Sequence, residues 1–117
     1  WIARCAAAGL PWKATAGLHH PRRHWDTSLS VWHHGFLNVL AAGLLARARQ
    51  LTPADLVPLL QDREATGFHW HDAGLEWGDF SCNTSEIAAQ RLFVAAGFGS
   101  CSFDEPCEDL TSMGLLP

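Results

Sequence analysis

The chain has 117 residues, enough for one domain with a single hydrophobic core. It is 48% hydrophobic and only 17% charged, with a formal net charge of −4. Eight Lys and Arg residues against twelve Asp and Glu residues argue against a broad cationic face for nucleic acid. The longest apolar stretch, 36–46, is shorter than the about 20 residues of a membrane span. We therefore expect neither a nucleic acid nor a membrane partner.

The first predicted elements are a helix and a strand. Residues 1–9 are rich in Ala, and Gly9 before a proline is typical of a helix end. Segment 12–17 alternates like a strand and places Lys13 and Thr15 on the same face.

A long polar segment separates that strand from the most apolar part of the chain. Segment 18–32 is too long for a simple connection, which predicts a functional or partly disordered loop. Segment 36–49 is apolar on nearly every side and predicts a buried helix. Thr52 followed by proline begins a short helix to about Gln61, bent or broken early at Pro58.

The periodicity changes in the second half of the chain. Alternating residues in 67–79 predict a β-hairpin, and a polar loop follows it. Asn83 has the sequence context of an N-cap, with a helix over 86–96. Segment 98–103 predicts a second strand of small residues, before a tail helix at 108–113.

Helices that alternate with strands predict an α/β fold in which segments 12–17 and 98–103 pair in parallel. The carboxyl ends of parallel strands meet at one edge of a sheet, where ligands bind in such folds. The polar residues that follow each segment are therefore expected to lie together.

Three segments carry a resemblance: PWKATAGLHHP at 11–21, HGFLNV at 34–39 and FGSCSFDEP at 98–106. They resemble parts of a family of uncharacterised bacterial proteins, near the C-terminus of longer, (β/α)-barrel-like chains. The resemblance implies a partial (β/α)-barrel-like fragment with two parallel strands, a β-hairpin and three to five helices. The chain also begins with residues typical of a helix interior. Together with the resemblance, this predicts that 1–117 is a single domain at the C-terminal end of a larger protein.

Lys13 has three open interpretations. In a barrel strand, Lys13 and Thr15 would face inward near the carboxyl end, a typical catalytic position. At that position the lysine could bind an anion or form a Schiff base. Residues 13–17 also resemble the strand around the Schiff-base lysine of class I deoxyribose-phosphate aldolases. The alternative is a surface lysine on an edge strand.

Five of the seven histidines lie within residues 19–34. Imidazole serves in proton transfer, in ligand contact and as a ligand of zinc-like ions. This span contains neither the HxH nor the HExxH motif, so no residue is predicted as a metal ligand. A metal-dependent hydrolase that uses the His cluster is an alternative. His69 and His71 do form HxH, and there a solvated hairpin face is favoured.

Arg22 and Arg23 follow the first histidines and concentrate positive charge in an acidic chain, which suits a small anionic metabolite. A solvated pair on a surface loop is the alternative. Asp104 and Glu105, after the second predicted strand, could supply a general base or a partner for Lys13, and capping of the tail helix is the alternative. The predicted catalytic residues are Lys13, His19, His20 and Asp104. The predicted ligand-binding residues are Thr15, Gly17, Arg22, Arg23 and His34.

The sequence indicates no cofactor, and its cysteines have no CxxC spacing. Free thiols in a cytoplasmic protein are therefore expected, with a Cys101–Cys107 disulfide as the alternative. The competing class of function is a non-catalytic domain that forms a homo-oligomer or packs against an absent N-terminal portion.

Overall fold

The computed structural model describes residues 1–15, 17–64, 67–91 and 98–117. These residues form five helices and two small antiparallel sheets, an α+β arrangement. The helices are α1 (Ile2–Ala8), α2 (Phe36–Arg49), α3 (Pro53–Gln61), α4 (Thr84–Gln90) and α5 (Asp104–Ser112). The strands are β1 (His24–Asp26), β2 (Val31–His33), β3 (Phe68–His71), β4 (Gly74–Trp77) and β5 (Phe80–Asn83).

The predicted α/β fold with a barrel fragment is wrong. In the described part of the chain, the two expected parallel strands meet in a single isolated bridge, between Ala14 and Phe98. Two backbone bonds flank it, from Gly99 N to Ala14 O at 2.9 Å and from Leu18 N to Gly99 O at 3.4 Å. Segments of mostly small residues have little side chain to bury on a pleated surface, which explains why the pairing between the described residues does not extend into a sheet.

Helix α2 is the centre of the core, as its apolar sequence predicts. Ala41, Ala42 and Leu45 are completely buried, and the helix packs against α1, α3, α4 and β5. Leu59 of α3 and Leu75 of β4 complete the fully buried centre. The burial prediction for 36–49 is confirmed.

The predicted helix caps at Gly9, Thr52 and Asn83 are confirmed. Gly9 ends α1 with φ 65°, in the left-handed region that glycine adopts readily. Thr52 and Asn83 each form a capping box with the acid three residues later, Asp55 and Glu86. Helix α5 begins at 104 rather than 108. The predicted end of the fourth helix, at 96, lies outside the described residues.

The sheet β3-β4-β5 contains the predicted hairpin and one strand that was predicted as a loop. β3 and β4 pair as expected, and both His69 and His71 are exposed. The missed strand, β5, pairs with β4 and buries Cys82 opposite Leu75. With only one buried side chain, a four-residue strand gives too weak an alternation to be found from sequence.

The His-rich segment contains the hairpin β1-β2, which the sequence did not indicate. Its turn is fastened by the carboxylate of Asp26, which accepts bonds from Ser28 N, Ser28 Oγ and Leu29 N at 2.6–3.0 Å. These bonds, the one from the Ser28 hydroxyl above all, lower the pKa of Asp26. An Asx-type turn of this kind needs no apolar pattern, so periodicity misses it.

All four cysteines are free thiols, so the Cys101–Cys107 disulfide considered from sequence is not formed. Across the described ranges, no helix combines the length and the apolar character that crossing a bilayer demands.

Candidate functional site

The N-terminus of α2 holds the His-rich segment in place. Phe36 N donates to His20 O at 3.0 Å, and Leu37 N donates to Pro21 O at 2.9 Å. These carbonyl groups satisfy helix N–H groups that have no partner within the helix. Gly35, the N-cap, lies against the backbone of Pro21 and Arg22 with no room for a side chain.

Asn38 links the same segment to the end of α3. Its side chain is fully buried, and its Nδ2 donates to Leu59 O at 3.0 Å and to Asp62 O at 2.9 Å. Its Oδ1 accepts a bond from Arg23 N at 2.9 Å. One buried amide therefore ties three segments together and fixes the backbone at Arg23.

A cavity of about 260 Å³ opens beside this anchor, and we call it the basic cavity. It is lined by His20, Pro21, Arg22, Arg23, His24, Arg63, Asp109, Ser112 and Met113. Within residues 1–15, 17–64, 67–91 and 98–117, none of its three guanidinium groups forms an ion pair with a carboxylate. Its walls thus carry three fixed positive charges against the one carboxylate of Asp109.

The indole of Trp32 supports two of these guanidinium groups. The Arg63 Cζ lies 3.8 Å from the Trp32 ring centre, and the Arg23 Cζ lies 5.4 Å from it. A guanidinium over an aromatic face keeps its charge and its edge donors, so stacking orders it without neutralising it. Arg23 Nε is buried and, in the part of the chain that the structure describes, has no hydrogen-bond partner.

Three imidazole rings form a row at the cavity. His20 Nδ1 lies 2.7 Å from Asp109 Oδ2, and the His20 and His24 ring centres are 4.1 Å apart. His24 in turn stacks on His33 at 5.5 Å. Burial, helped by the charges that His20 and His33 can carry, lowers the pKa of His24 from its usual value of 6.5.

The lowered pKa of His24 has a defined sign for stability. The neutral imidazole is favoured in the fold, so its contribution is complete above pH 6.5 and is lost as the pH falls below that value. A ligand that brings negative charge to His24 would oppose this loss.

His19, the neighbour of His20, contacts a different set of side chains. Its Nδ1 lies 3.3 Å from Glu105 Oε2 and 3.3 Å from Ser100 Oγ. Its Nε2 lies 3.5 Å from the Sγ of Cys101. Glu105 and Asp109 are four residues apart on α5, so the two adjacent histidines meet carboxylates one helical turn apart.

The structure separates Lys13, Thr15 and Asp104 from this region. Lys13, Thr15 and His34 are exposed and line another cavity, of about 370 Å³. His34 also contacts the basic cavity's wall, because its Nδ1 lies 3.4 Å from Arg23 Nη1. Asp104 is exposed at the start of α5. Since the barrel is absent, the inward position that supported Lys13 as a catalytic residue does not exist.

Three of the nine predicted site residues, His20, Arg22 and Arg23, line the basic cavity. Gly17 lies in the chain after the bridge residue Ala14 and before His19, and it does not line the cavity. Its φ of 79° is in the left-handed region. Sequence reasoning missed Arg63 and Asp109, which come from segments distant in the chain. No sequence motif near Arg63 indicates a site. If the tail helix had been predicted to begin at 104, Asp109 would have been placed one helical turn after Glu105.

Among the residues that the structure describes, no group of three or more His, Cys, Asp or Glu side chains is arranged to hold a metal ion. The geometry therefore gives the metal-dependent hydrolase no support. Comparisons of the chain with protein-family models, with curated proteins and with solved structures found no match. The resemblance to uncharacterised bacterial proteins thus stays a prediction, and the argument for function rests on geometry.

Proposed function

We propose that the protein binds a small anionic metabolite, with a phosphate or carboxylate group seated in the basic cavity. The observation that carries the proposal is the convergence of Arg22, Arg23 and Arg63, unpaired with any carboxylate of the described residues, on one cavity in an acidic protein. Guanidinium groups bind carboxylate and phosphate oxygens through paired, charge-assisted hydrogen bonds.

The size and the remaining walls of the cavity support a small ligand. Its volume of about 260 Å³ lies just below the range of about 300–1,000 Å³ that is usual for small-molecule pockets. Asp109 lies 2.7 Å from His20 Nδ1, which holds the His20 ring in place at the wall of the cavity. Four free thiols support a cytoplasmic location, where such metabolites are abundant and thiols stay reduced.

Sulfate and inorganic phosphate are the probes that test this proposal, by isothermal titration calorimetry. We expect Arg22→Gln, Arg23→Gln and Arg63→Gln each to weaken binding by about tenfold or more, because each removes charge-assisted hydrogen bonds. The matched control is Arg91→Gln, the same change at an exposed residue at the end of α4. Equal affinity in all four variants, or no binding by the unchanged protein, would contradict the proposal.

The pH dependence of sulfate binding is a second test at the same cavity. Sulfate keeps its charge between about pH 5 and pH 8, a range that includes the usual pKa of an imidazole. Burial lowers the pKa of His24 in the free protein, and a bound dianion should favour its protonated form. We expect binding to tighten as the pH falls from 8 to 5, and His24→Gln to flatten that dependence. Binding that is independent of pH would remove His24 from the site.

One observation supports the alternative class, a non-catalytic domain that associates with a second copy of itself. The hairpin β1-β2 exposes four large apolar side chains: Trp25 (46%), Leu29 (63%), Val31 (44%) and Trp32 (38%). Exposed apolar groups of this kind favour association.

Sedimentation velocity over a wide concentration range tests the alternative. Under this alternative, we expect the protein to self-associate reversibly. The double change Trp25→Ser and Leu29→Ser should weaken that association. Association without any anion binding would favour the alternative over the binding proposal. A monomer at every concentration would eliminate the alternative.

A further inference from the structure

A thiol, an imidazole and a carboxylate meet on the surface where the chain enters α5. Cys101 is exposed, and its Sγ lies 3.5 Å from Nε2 and 3.7 Å from Nδ1 of His19. The Oε2 of Glu105 lies 3.3 Å from His19 Nδ1. These three side chains take no part in the proposed binding of an anion, because none of them lines the basic cavity.

The carboxylate influences which imidazole nitrogen carries the proton. His19 Nδ1 lies 3.3 Å from Glu105 Oε2 and 3.3 Å from Ser100 Oγ, a hydroxyl oxygen that can accept its hydrogen bond. The negative charge beside Nδ1 favours the tautomer with the proton on that nitrogen. The lone pair is then on Nε2, the ring nitrogen nearer to the sulfur, at 3.5 Å against 3.7 Å for Nδ1. Glu105 is thus placed to orient the ring, and His19 to take the thiol proton.

The backbone holds the two partners together although they are 82 residues apart. Leu18 N donates to Gly99 O, which joins the residue before His19 to the segment that leads to Cys101. Pro106, next to Glu105, is buried and anchors the first turn of α5. The side chain of His19 is only 25% exposed, so the ring is sheltered while the sulfur is open to solvent.

We propose that Cys101 is a nucleophilic thiol that accepts acyl groups from activated esters or thioesters, with His19 as its general base and Glu105 as a positioning residue. The thiol proton passes to His19 Nε2 while the sulfur forms a bond to the carbonyl carbon. The bond from that carbon to the leaving oxygen or sulfur then breaks, and His19 returns the proton to the leaving group. The product is an acyl-thioester on Cys101, and no oxidant or reductant is required.

The probe is p-nitrophenyl acetate, with release of p-nitrophenolate followed by absorbance and the acetylated residue located by peptide mass. We expect acetylation at Cys101 and its loss in Cys101→Ser. His19→Gln should slow the reaction by about 100-fold, the usual contribution of a general base, and should remove one titrating step from the pH–rate profile. The matched control is His71→Gln, which changes an exposed imidazole on β3.

Glu105→Gln tests the positioning role through both the rate and its pH dependence. We expect a smaller decrease than in His19→Gln, a displaced pH–rate profile and partial rescue by Glu105→Asp. A residue with a merely structural role would lower thermal stability without moving the profile.

A comparison within the unchanged protein keeps the proposal testable even where a variant fails to fold. Cys107 is a partly buried thiol on α5, six residues after Cys101, without an imidazole partner in the described part of the chain. Rates of iodoacetamide modification, each divided by the rate in the urea-unfolded protein, should be at least tenfold higher at Cys101 than at Cys107. Equal normalised rates, or a His19→Gln rate like that of the unchanged protein, would overturn the proposal.

Discussion

Gly35→Ala is expected to lower the free energy of unfolding by about 3 kcal/mol or more, one of the two largest effects that the structure implies. A Cβ at this position would overlap with backbone atoms of Pro21 and Arg22. Backbone cannot rotate away as a flexible side chain can. Relief would require the bonds from Phe36 N and Leu37 N to the His-rich segment to lengthen. Urea denaturation measures the loss.

Gly78→Ala is the control for Gly35→Ala. Gly78 has φ 56°, and an added Cβ there would meet no atom of the described residues within 4 Å. That change should cost only the strain of the left-handed region, about 1–2 kcal/mol. Gly35 has an ordinary φ of −83°, so its larger loss would come from crowding alone. A loss at Gly35 no greater than the loss at Gly78 would show that segment 20–23 does not lie on α2 as described.

Asn38→Leu should lower the free energy of unfolding by roughly 2–4 kcal/mol, because it leaves buried polar groups without partners. The substitution keeps the branched shape and the number of heavy atoms of the side chain but removes both donors to Leu59 O and Asp62 O and the acceptor for Arg23 N. Because the lost acceptor fixes the backbone of Arg23, sulfate affinity should fall as well. Urea denaturation and calorimetry on the same variant measure the two effects.

Gln90→Leu provides the comparison for Asn38→Leu. Gln90 is also buried, at 7% exposure, but its Oε1 has no hydrogen-bond partner among the described residues. Removing an amide whose acceptor is unsatisfied should be nearly neutral or stabilising. Similar losses at Asn38 and Gln90 would contradict the linking role of Asn38.

Part of the candidate site could be predicted from residues that are close in the sequence. His20, Arg22 and Arg23 are separated by at most three positions, so any compact conformation of the segment brings them near one another. Arg63 could not be added to them, because it reaches the cavity through the bonds between Asn38 and the end of α3. The pairing of His19 with Cys101 depends likewise on a contact between distant segments.

Lys13 illustrates how an incorrect fold moves a predicted site. Its predicted catalytic role assumed an inward position on a barrel strand. Among the residues that the structure describes, the pairing that would create this strand is limited to the bridge at Ala14. The lysine is exposed instead, beside Thr15 and His34. The alternation of residues 12–17 is local, and it does not reveal whether another part of the chain pairs with this segment.

The sequence alone determined the elements whose signals are local. The buried helix α2, the capping boxes at Thr52 and Asn83 and the hairpin of β3 and β4 follow from periodicity and from groups within three or four residues of one another. Only the tertiary structure decided that β5 joins this hairpin, that three arginines share one cavity and that Cys101 faces His19. These arrangements depend on which distant surfaces bury each other, and a pattern of neighbouring residues does not contain that choice.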